Sequence, residues 1–437
     1  MMAFGIADTV IAGRYSDTAL AALSVGAAIY ISVYVASMGV VQALLPVWAE
    51  LLGAGRHAAI GKSLRQSLYL TGFMALVGMT VLLFPDALLG WAQIPSAMLA
   101  EVKSYLTVLA FALVPALLFR LYSTFNQSLG KPLLVTWLQI GALGVKIPLS
   151  VWLVAGGAGV EPMGVVGCAW ATLVVNCLLL VSCVVMLRTQ RLYKAFHIWR
   201  RLERPDWPVI GNFALLGLPA GLSYLVEVTS LTLMALFIAR LGIVSSASHQ
   251  IAASVAAALY MTPLSIAIAC SARTSFWLGA GEPHRAKSVA YMGLRLAVLI
   301  SSALIAILYI AKSSFATLYT ANPDIIALAS TLLGWVALFH LADSAQAVCA
   351  FLLRCYGVTI APLVLYAVLL WGVGLYGGYV LTYEGFPGFA PSRAPASFWQ
   401  AGTVALMCVA ICFMVLLGRA VRTNQSACDA TDPSRAT

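Results

Sequence analysis

Three carboxylic acids lie inside stretches of the sequence that otherwise hold almost no charge: Asp8, Glu227 and Asp343. An ionised carboxylate within the hydrocarbon of a membrane is costly, so such residues are rare and usually mark the path of an ion or a substrate. We therefore take these three side chains as candidates for binding a cation.

Glu227 belongs to a polar stripe on a predicted helix. Ser223, Tyr224 and Ser230 stand at i−4, i−3 and i+3 from it, and residues at these spacings share one helix face. Hydroxyl and carboxylate oxygens are hard donors that suit Na⁺, and carboxylates also carry protons. The stripe predicts a site for Na⁺ or H⁺, the alternative being a carboxylate that only holds helices together.

Asp343 has a similar setting in a later apolar segment. His340 precedes it by three residues and Gln346 follows it by three, so the three side chains share a helix face. An amide and a carboxylate are again oxygen ligands suited to a small cation. Glu227 and Asp343 are thus both candidate ligands for Na⁺, and we predict no other metal site.

Asp8 has a predicted partner, Lys146, which lies deep inside an apolar segment. A lysine there must pair with an acid or lose its proton. We predict an ion pair between the two, which either breaks during a working cycle or serves as a permanent structural bridge.

The segments that carry these residues are long enough to cross a membrane. Charged residues make up 9% of the chain and hydrophobic residues 62%, whereas soluble domains carry about 25% charged residues. Spanning ~30 Å of hydrocarbon takes roughly 20 residues in a helix. We predict an all-α polytopic membrane protein with complete spans near residues 19–43, 64–85, 104–126, 133–155, 163–187, 209–239, 246–270, 289–311, 328–352, 360–382 and 398–418.

An internal repeat divides the chain into two lobes. Leu52-Gly53-Ala54-Gly55 recurs 226 residues later as Leu278-Gly279-Ala280-Gly281, and Gly130 and Gly357 are 227 residues apart. Membrane proteins built from two similar halves are usually transporters with alternating access. We predict an N-lobe at residues 1–187, a cytoplasmic linker at 188–208, a C-lobe at 209–418 and a tail at 419–437.

The repeat also bears on residues 1–11, which form a twelfth hydrophobic segment too short to span. The seventh span begins near Val209, and the equivalent point of the first lobe falls before Met1. We expect the first helix to be truncated in this sequence, although a native short helix is an alternative.

Most of the 25 lysines and arginines lie in the loops on one side of the predicted spans, with Arg354 counted among them. This asymmetry predicts a cytoplasmic N-terminus and accounts for the net charge of +10 without a nucleic-acid partner. The densest basic cluster is the linker from Arg188 to Arg204. It either lies on anionic headgroups or acts as a topology signal, and we favour the second.

Motifs for nucleotide binding and hydrolysis are missing from the sequence, and most of the nine cysteines lie in or beside the spans, where they act as small hydrophobic residues. We therefore predict neither a cofactor nor an enzyme. Transport would depend on an ion gradient or proceed passively.

Several of these residues fall in stretches that together resemble the multidrug and toxic compound extrusion (MATE) transporters, in particular the NorM-like bacterial branch. The resemblance covers nearly the whole chain. The stretches are Asp8 to Arg14, Leu52 to Arg56, Gly217-Leu218-Pro219-Ala220-Gly221, Val226 to Val228, His249-Gln250-Ile251-Ala252, Leu278 to Gly281, and Asp343 in the tenth span.

The resemblance implies twelve helices in two six-helix bundles, and export of amphipathic, often cationic, drugs in exchange for Na⁺ or H⁺ by a monomer in the bacterial inner membrane. It also implies that Glu227 and Asp343 carry the coupling cation and that Asp8 matches the aspartate of the first helix. Ser223, Tyr224, Ser230, His340, Gln346 and Lys146 would support the site or line the substrate cavity.

One departure from the family concerns the fifth helix, which commonly reads Asn-Ile-Pro-Leu followed by Asn or Asp. Here the segment reads Lys146-Ile147-Pro148-Leu149-Ser150. An ammonium would itself occupy the place of a cation in the first lobe, which shifts the expected coupling site to Glu227 and Asp343.

Three other functions are alternatives, of which a channel is disfavoured by the repeat with acidic groups at mid-depth. A lipid-linked oligosaccharide flippase of the same superfamily would usually have a more cationic cavity. A membrane-embedded enzyme is suggested only by the pair of His340 and Asp343, and no nucleophile motif accompanies it. The sequence names neither the exported compound nor the coupling ion.

Overall fold

The structure is a computed structural model that describes residues 2–91, 96–157, 159, 161–385 and 390–431. Within these ranges, eleven helices have the length and hydropathy of a membrane span. They confirm the eleven predicted spans. Most of these helices are several residues longer than the apolar segments, so they are longer than the hydrocarbon layer requires. A further helix of 14 residues, α1, stands at the start of the chain.

The first part of the chain forms eight α-helices followed by a short 3₁₀ helix at Arg191–Phe196. The bounds are α1 Met2–Tyr15, α2 Asp17–Gln42, α3 Leu45–Gly53, α4 His57–Leu83, α5 Asp86–Trp91, α6 Ser96–Ser128, α7 Pro132–Ala155 and α8 Val165–Thr189.

The second part begins with three long helices and then the helix that carries Asp343. The bounds are α9 Trp207–Ala239, α10 Ile243–Gly279, α11 Pro283–Thr317, α12 Pro323–Cys355, α13 Ile360–Tyr366, α14 Gly377–Tyr379 and α15 Ala396–Thr431. Two π-helical stretches, Ala367–Tyr376 and Val380–Glu384, continue α13 and α14 through the same span.

The internal repeat reappears as two matching pairs of helix ends. Gly55 and Gly281 both have a positive φ, at 68° and 74°, a conformation that glycine adopts without steric cost. The turns are closed by equivalent hydrogen bonds, from Arg56 N to Leu51 O at 3.0 Å and from Glu282 N to Trp277 O at 2.9 Å. The sequence repeat is therefore a repeat of backbone structure.

The second pair of turns follows α6 and α12. Gly130 and Gly357 have φ values of 69° and 73°. Lys131 N donates to Asn126 O at 2.9 Å, and Val358 N donates to Leu353 O at 3.0 Å. This pair keeps the offset of 227 residues seen in the sequence.

The residues group into two compact units. Unit 1 comprises Met1–Leu52 and Arg56–Gly221, and unit 2 comprises Gly53–Gly55 and Leu222–Thr437. The segment that joins α8 to α9 thus belongs to unit 1 together with α9 as far as Gly221. The division of the chain into an N-lobe, a linker and a C-lobe at 188–208 stays a prediction.

Each unit has a central helix. In unit 1, α6 packs against α2, α4 and α8, while α7 packs against α1 and α8. In unit 2, α12 packs against α10, α11 and α15. Since α12 contributes most of its length to this packing, the polar residues on it are held inside unit 2.

Candidate cation site

The two principal acids lie on α9 and α12 of unit 2. The start of α12 is fixed by Pro323 in its first turn and by Asn322, whose side-chain oxygen accepts a hydrogen bond from Asp324 N at 3.0 Å. This start sets the helical register that places Asp343, which is only 6% exposed, among packed neighbours.

A chain of hydrogen bonds fixes the carboxylate of Asp343. Gln346 Nε2 donates to Asp343 Oδ1 at 2.9 Å, and the hydroxyl of Tyr366 donates to Gln346 Oε1. All three side chains are buried. Because Tyr366 occupies the amide oxygen, the amide nitrogen of Gln346 is directed toward the carboxylate, which holds one oxygen of Asp343 in place.

Glu227 lines a small pocket of unit 2 together with aromatic and basic side chains. The pocket is lined by Ser223, Tyr224, Glu227, Tyr260, Ala347, Ala350, Phe351, Arg354 and Tyr366. Tyr366 therefore belongs both to this pocket and to the hydrogen-bond chain that ends at Asp343. Tyr366 thus connects the polar stripe that contains Glu227 with the polar stripe that contains Asp343.

Arg354 is the cation of this pocket. Its guanidinium carbon lies 4.5 Å from the ring centre of Phe351 and 5.3 Å from that of Tyr224, distances typical of cation–π contacts. The side chain is 9% exposed, and its Nη1 has no hydrogen-bond partner among the described residues. The assignment of Arg354 to a loop was wrong, because α12 continues through it to Cys355.

Glu227, Asp343 and Arg354 are near enough for their charges to interact. Within the part of the chain that the structure describes, Arg354 forms no ion pair with either acid. With both carboxylates ionised, the three groups sum to one negative charge. A single monovalent cation would make the group neutral, which is the state that a low-dielectric interior favours.

The structure brings together part of the predicted set. Ser223 and Tyr224 line the pocket with Glu227, whereas Ser230 and His340 are not among its lining residues. His340 is 1% exposed, and neither ring nitrogen has a hydrogen-bond partner among the described residues. Sharing a helix face with an acid thus did not bring Ser230 or His340 into the pocket.

Tyr260, Tyr366 and Arg354 line the pocket but were absent from the predicted site. The two tyrosines stand alone in apolar segments, where an aromatic residue is unremarkable. Arg354 carried a usable signal, because Phe351-Leu352-Leu353-Arg354-Cys355 contains no residue that ends a helix before Gly357.

In unit 1, the predicted ion pair is present. Lys146 Nζ lies 2.9 Å from Asp8 Oδ2, 2.6 Å from Thr172 Oγ1 and 3.3 Å from the carbonyl oxygen of Cys168. Ser150 Oγ lies 3.3 Å from the other oxygen of Asp8. The ammonium has three hydrogens and meets three oxygen acceptors, so it fills the place that a bound cation would need.

The described residues contain no group of three or more His, Cys, Asp or Glu side chains that could hold a metal ion. The candidate cation site is instead the pair of acids with hydroxyl and amide neighbours in unit 2.

The architecture of the described residues, with eleven spans, repeated turns and two compact units, is that of the MATE transporters. Solved structures of this class superpose on the chain, among them a eukaryotic MATE transporter, AtDTX14, with a TM-score of 0.83. That superposition covers 97% of this chain and 94% of the other at 17% sequence identity. The expected fold is confirmed.

The chain also matches the MatE family at residues 1–152 and 219–380. It belongs to the MatE family, which confirms the resemblance found in the sequence. Among its relatives, a probable multidrug resistance protein NorM of Aromatoleum aromaticum is 36% identical, over 97% of this chain and 92% of the relative. Another protein of that name, from Chromobacterium violaceum, is 32% identical over 96% of this chain and 90% of the relative.

Proposed function

We propose that the protein is a secondary active antiporter that exports amphipathic, cationic drugs in exchange for Na⁺ or H⁺. Membership of the MatE family and relatives named as multidrug resistance proteins support drug export. The single observation that carries the exchange is the group of Glu227, Asp343 and Arg354 in unit 2, in which Glu227 is half-buried and the other two side chains are buried.

The mechanism follows from the charge of this group. Its net charge of one negative unit favours a monovalent cation over a divalent one, because a second positive charge would again leave the interior charged. A cationic drug and the coupling ion both neutralise the same acids, so binding of one weakens binding of the other. This competition couples the binding of drug to the binding of the ion, as an antiporter requires.

The remaining polar residues take supporting roles. Gln346 orients Asp343, and Tyr366 orients Gln346. Ser223 and Tyr224 line the pocket beside Glu227 and supply hydroxyl oxygens for a desolvated Na⁺. We assign Arg354 the role of a fixed counter-charge that keeps the site from holding its cation too tightly.

Asp8 and Lys146 take a structural role in this proposal. Because the ammonium already has three oxygen acceptors, the acid of unit 1 is neutralised by the protein itself. We therefore assign the coupling site to unit 2 alone, without the contribution of Asp8 that the sequence suggested.

The alternatives are less well supported. The MatE relatives are named as multidrug resistance proteins, not as flippases or enzymes. His340, the residue that suggested an enzyme, is buried away from the pocket lining. We further propose that the protein acts as a monomer in the bacterial inner membrane. The positive-inside asymmetry supports a cytoplasmic N-terminus.

The test is efflux of an organic cation such as ethidium from proteoliposomes on which a Na⁺ gradient and a H⁺ gradient are imposed separately. We expect one of the two gradients to drive ethidium against its own concentration gradient. Equal ethidium fluxes with either gradient and with none would contradict ion-coupled export.

A further inference from the structure

The segment between α8 and α9, residues 190–206, is attached firmly to α4. Arg65, which is 5% exposed, donates from Nη1 to the carbonyl oxygen of His197 at 2.8 Å and from Nη2 to Glu203 Oε1 at 2.7 Å. Tyr69 donates to the carbonyl oxygen of Glu203 at 2.7 Å. Charged hydrogen bonds at a buried arginine hold the segment in one place.

The end of the segment is held in the same way. Gln66 Nε2 donates to the carbonyl oxygen of Arg204 at 3.0 Å, and Gln66 Oε1 accepts from Asp206 N at 2.9 Å. Lys62 forms an ion pair with Asp206 at 3.0 Å. The first half of the segment is anchored by Tyr193, which is buried and donates to Asn126 Oδ1 at 2.7 Å.

Both acidic residues of the segment form ion pairs with α4. Glu203 pairs with Arg65 and Asp206 pairs with Lys62, so neither is left to neutralise the basic residues around it. The segment and the end of α8 hold six exposed basic residues that have no acidic partner among the described residues: Arg188, Arg191, Lys194, Arg200, Arg201 and Arg204.

Large apolar side chains lie exposed among these cations. Trp199 is 51% exposed, Leu202 55% and Trp207 73%. The guanidinium of Arg188 lies 4.6 Å from the ring centre of Trp199. Tryptophan with arginine or lysine is the composition of the membrane–water interface, where the ring enters the headgroup layer and the cation meets phosphate.

The position in the chain places this surface at the membrane. The spans on either side end at Thr189 and begin at Trp207, and an anchored segment this short stays close to the bilayer surface. Unpaired guanidinium groups bind phosphate oxygens through paired hydrogen bonds. A soluble acidic protein would pair with the cations but would not account for the large exposed apolar side chains among them.

We propose that the linker surface, defined by these six basic residues with Trp199, Leu202 and Trp207, is a binding site for the phosphate headgroups of anionic phospholipids. The tie to α4 presents the cations in a fixed arrangement, so lipid binds without ordering a loose loop. The topology signal favoured from sequence alone and the lipid site are compatible, since both need positive charge at one membrane surface. This inference does not rest on the proposed transport function.

The test uses the full-length protein purified in a neutral detergent, with native mass spectrometry to count bound lipids. The probes are dioleoyl phosphatidylglycerol, dioleoyl phosphatidylcholine and inorganic phosphate. The test variant combines Arg200→Gln, Arg201→Gln and Arg204→Gln; it keeps the backbone carbonyl of Arg204 that Gln66 binds. The control variant removes three other exposed cations, through Arg285→Gln, Arg419→Gln and Arg422→Gln.

We expect the wild-type protein to bind phosphatidylglycerol at least ~10-fold more tightly than phosphatidylcholine, and the test variant to lose roughly 5-fold in affinity for each cation removed. The control variant should change by less than ~3-fold. An unchanged affinity in the test variant, or an equal loss in the control, would overturn the proposal. So would full displacement of phosphatidylglycerol by millimolar inorganic phosphate, which would show a free-anion site instead.

Discussion

Lys146 and Asp8 form a buried ion pair in unit 1, with Nζ 2.9 Å from Oδ2 and the lysine fully buried. The pair stands where the family resemblance implies a cation-binding position, and Thr172 and Cys168 supply the other two acceptors for the ammonium. The ammonium of Lys146, which belongs to the chain itself, thus occupies this position.

Removing one member of this pair should destabilise the protein strongly. Asp8→Asn or Lys146→Met leaves the other charge buried and unpaired, at a cost of about 3 to 5 kcal/mol. The double variant should lose much less than the sum of the two single variants, because it buries no charge. Thermal unfolding in detergent measures the three changes; strictly additive losses would show that the two residues do not stabilise each other.

Arg354→Gln should tighten cation binding and slow turnover. The substitution changes the net charge of the group with Glu227 and Asp343 from −1 to −2, so affinity for Na⁺ or H⁺ should rise by roughly tenfold or more. Release of the ion, and hence efflux, should slow correspondingly.

The control for this substitution is Arg273→Gln, since Arg273 is exposed on α10. It removes the same charge outside the pocket lining. Binding measured by calorimetry separates the two variants from each other. Identical cation affinities in Arg354→Gln and in wild type would show that Arg354 does not act as a counter-charge.

Tyr366→Phe tests the hydrogen-bond chain at Asp343. Without the hydroxyl, the amide of Gln346 is free to turn its oxygen toward the carboxylate, so cation affinity should fall about 3- to 10-fold, equivalent to one hydrogen bond of about 1 kcal/mol. The matched control is Tyr383→Phe, which loses a bond to the carbonyl oxygen of Phe237 outside the pocket. Equal effects of the two substitutions on affinity would count against a positioning role for Tyr366.

The attachment of the linker to α4 gives a prediction about stability. Arg65→Met should cost about 1 to 3 kcal/mol because it removes the hydrogen bonds that the buried guanidinium donates to the half-exposed carboxylate of Glu203 and to the carbonyl oxygen of His197. Lys62→Met removes a more exposed ion pair with Asp206 and should cost about 0 to 1 kcal/mol. Melting temperatures of the two variants would show the difference, and similar losses would mean that the linker is held mainly by its buried aromatic residues.

Sequence reasoning found the spans, the repeat, the Asp8–Lys146 pair and both acids of unit 2, because charge inside an apolar segment is visible without a structure. The partners of Glu227 were harder to find. In a membrane, lipid-facing and protein-facing helix surfaces are both apolar, so the pattern that shows which face packs inward in a soluble protein is missing. Tyr260 and Tyr366 therefore carried no signal.

Arg354 was misplaced for a related reason. A basic residue near the end of an apolar segment normally lies in the loop on the positive side. The sequence does show that no residue ends the helix before Gly357, but it does not show that the side chain of Arg354 packs against Phe351 and Tyr224. The π-helical course of residues 367–376 and 380–384 was likewise not predicted, since composition does not distinguish it from a regular helix.

In the proposed mechanism, Glu227 and Asp343 bind the ion that is exchanged for drug. Measuring the ion itself tests this role: a substrate gradient is imposed on proteoliposomes, and counter-movement of ²²Na⁺ or of protons is followed in wild type, Glu227→Gln and Asp343→Asn. Both variants keep the shape of the side chain and remove its charge. We predict that drug drives ion movement in the wild type and that each variant, reconstituted at equal amounts, shows none. Wild-type ion movement in both variants would show that these two acids do not bind the exchanged ion.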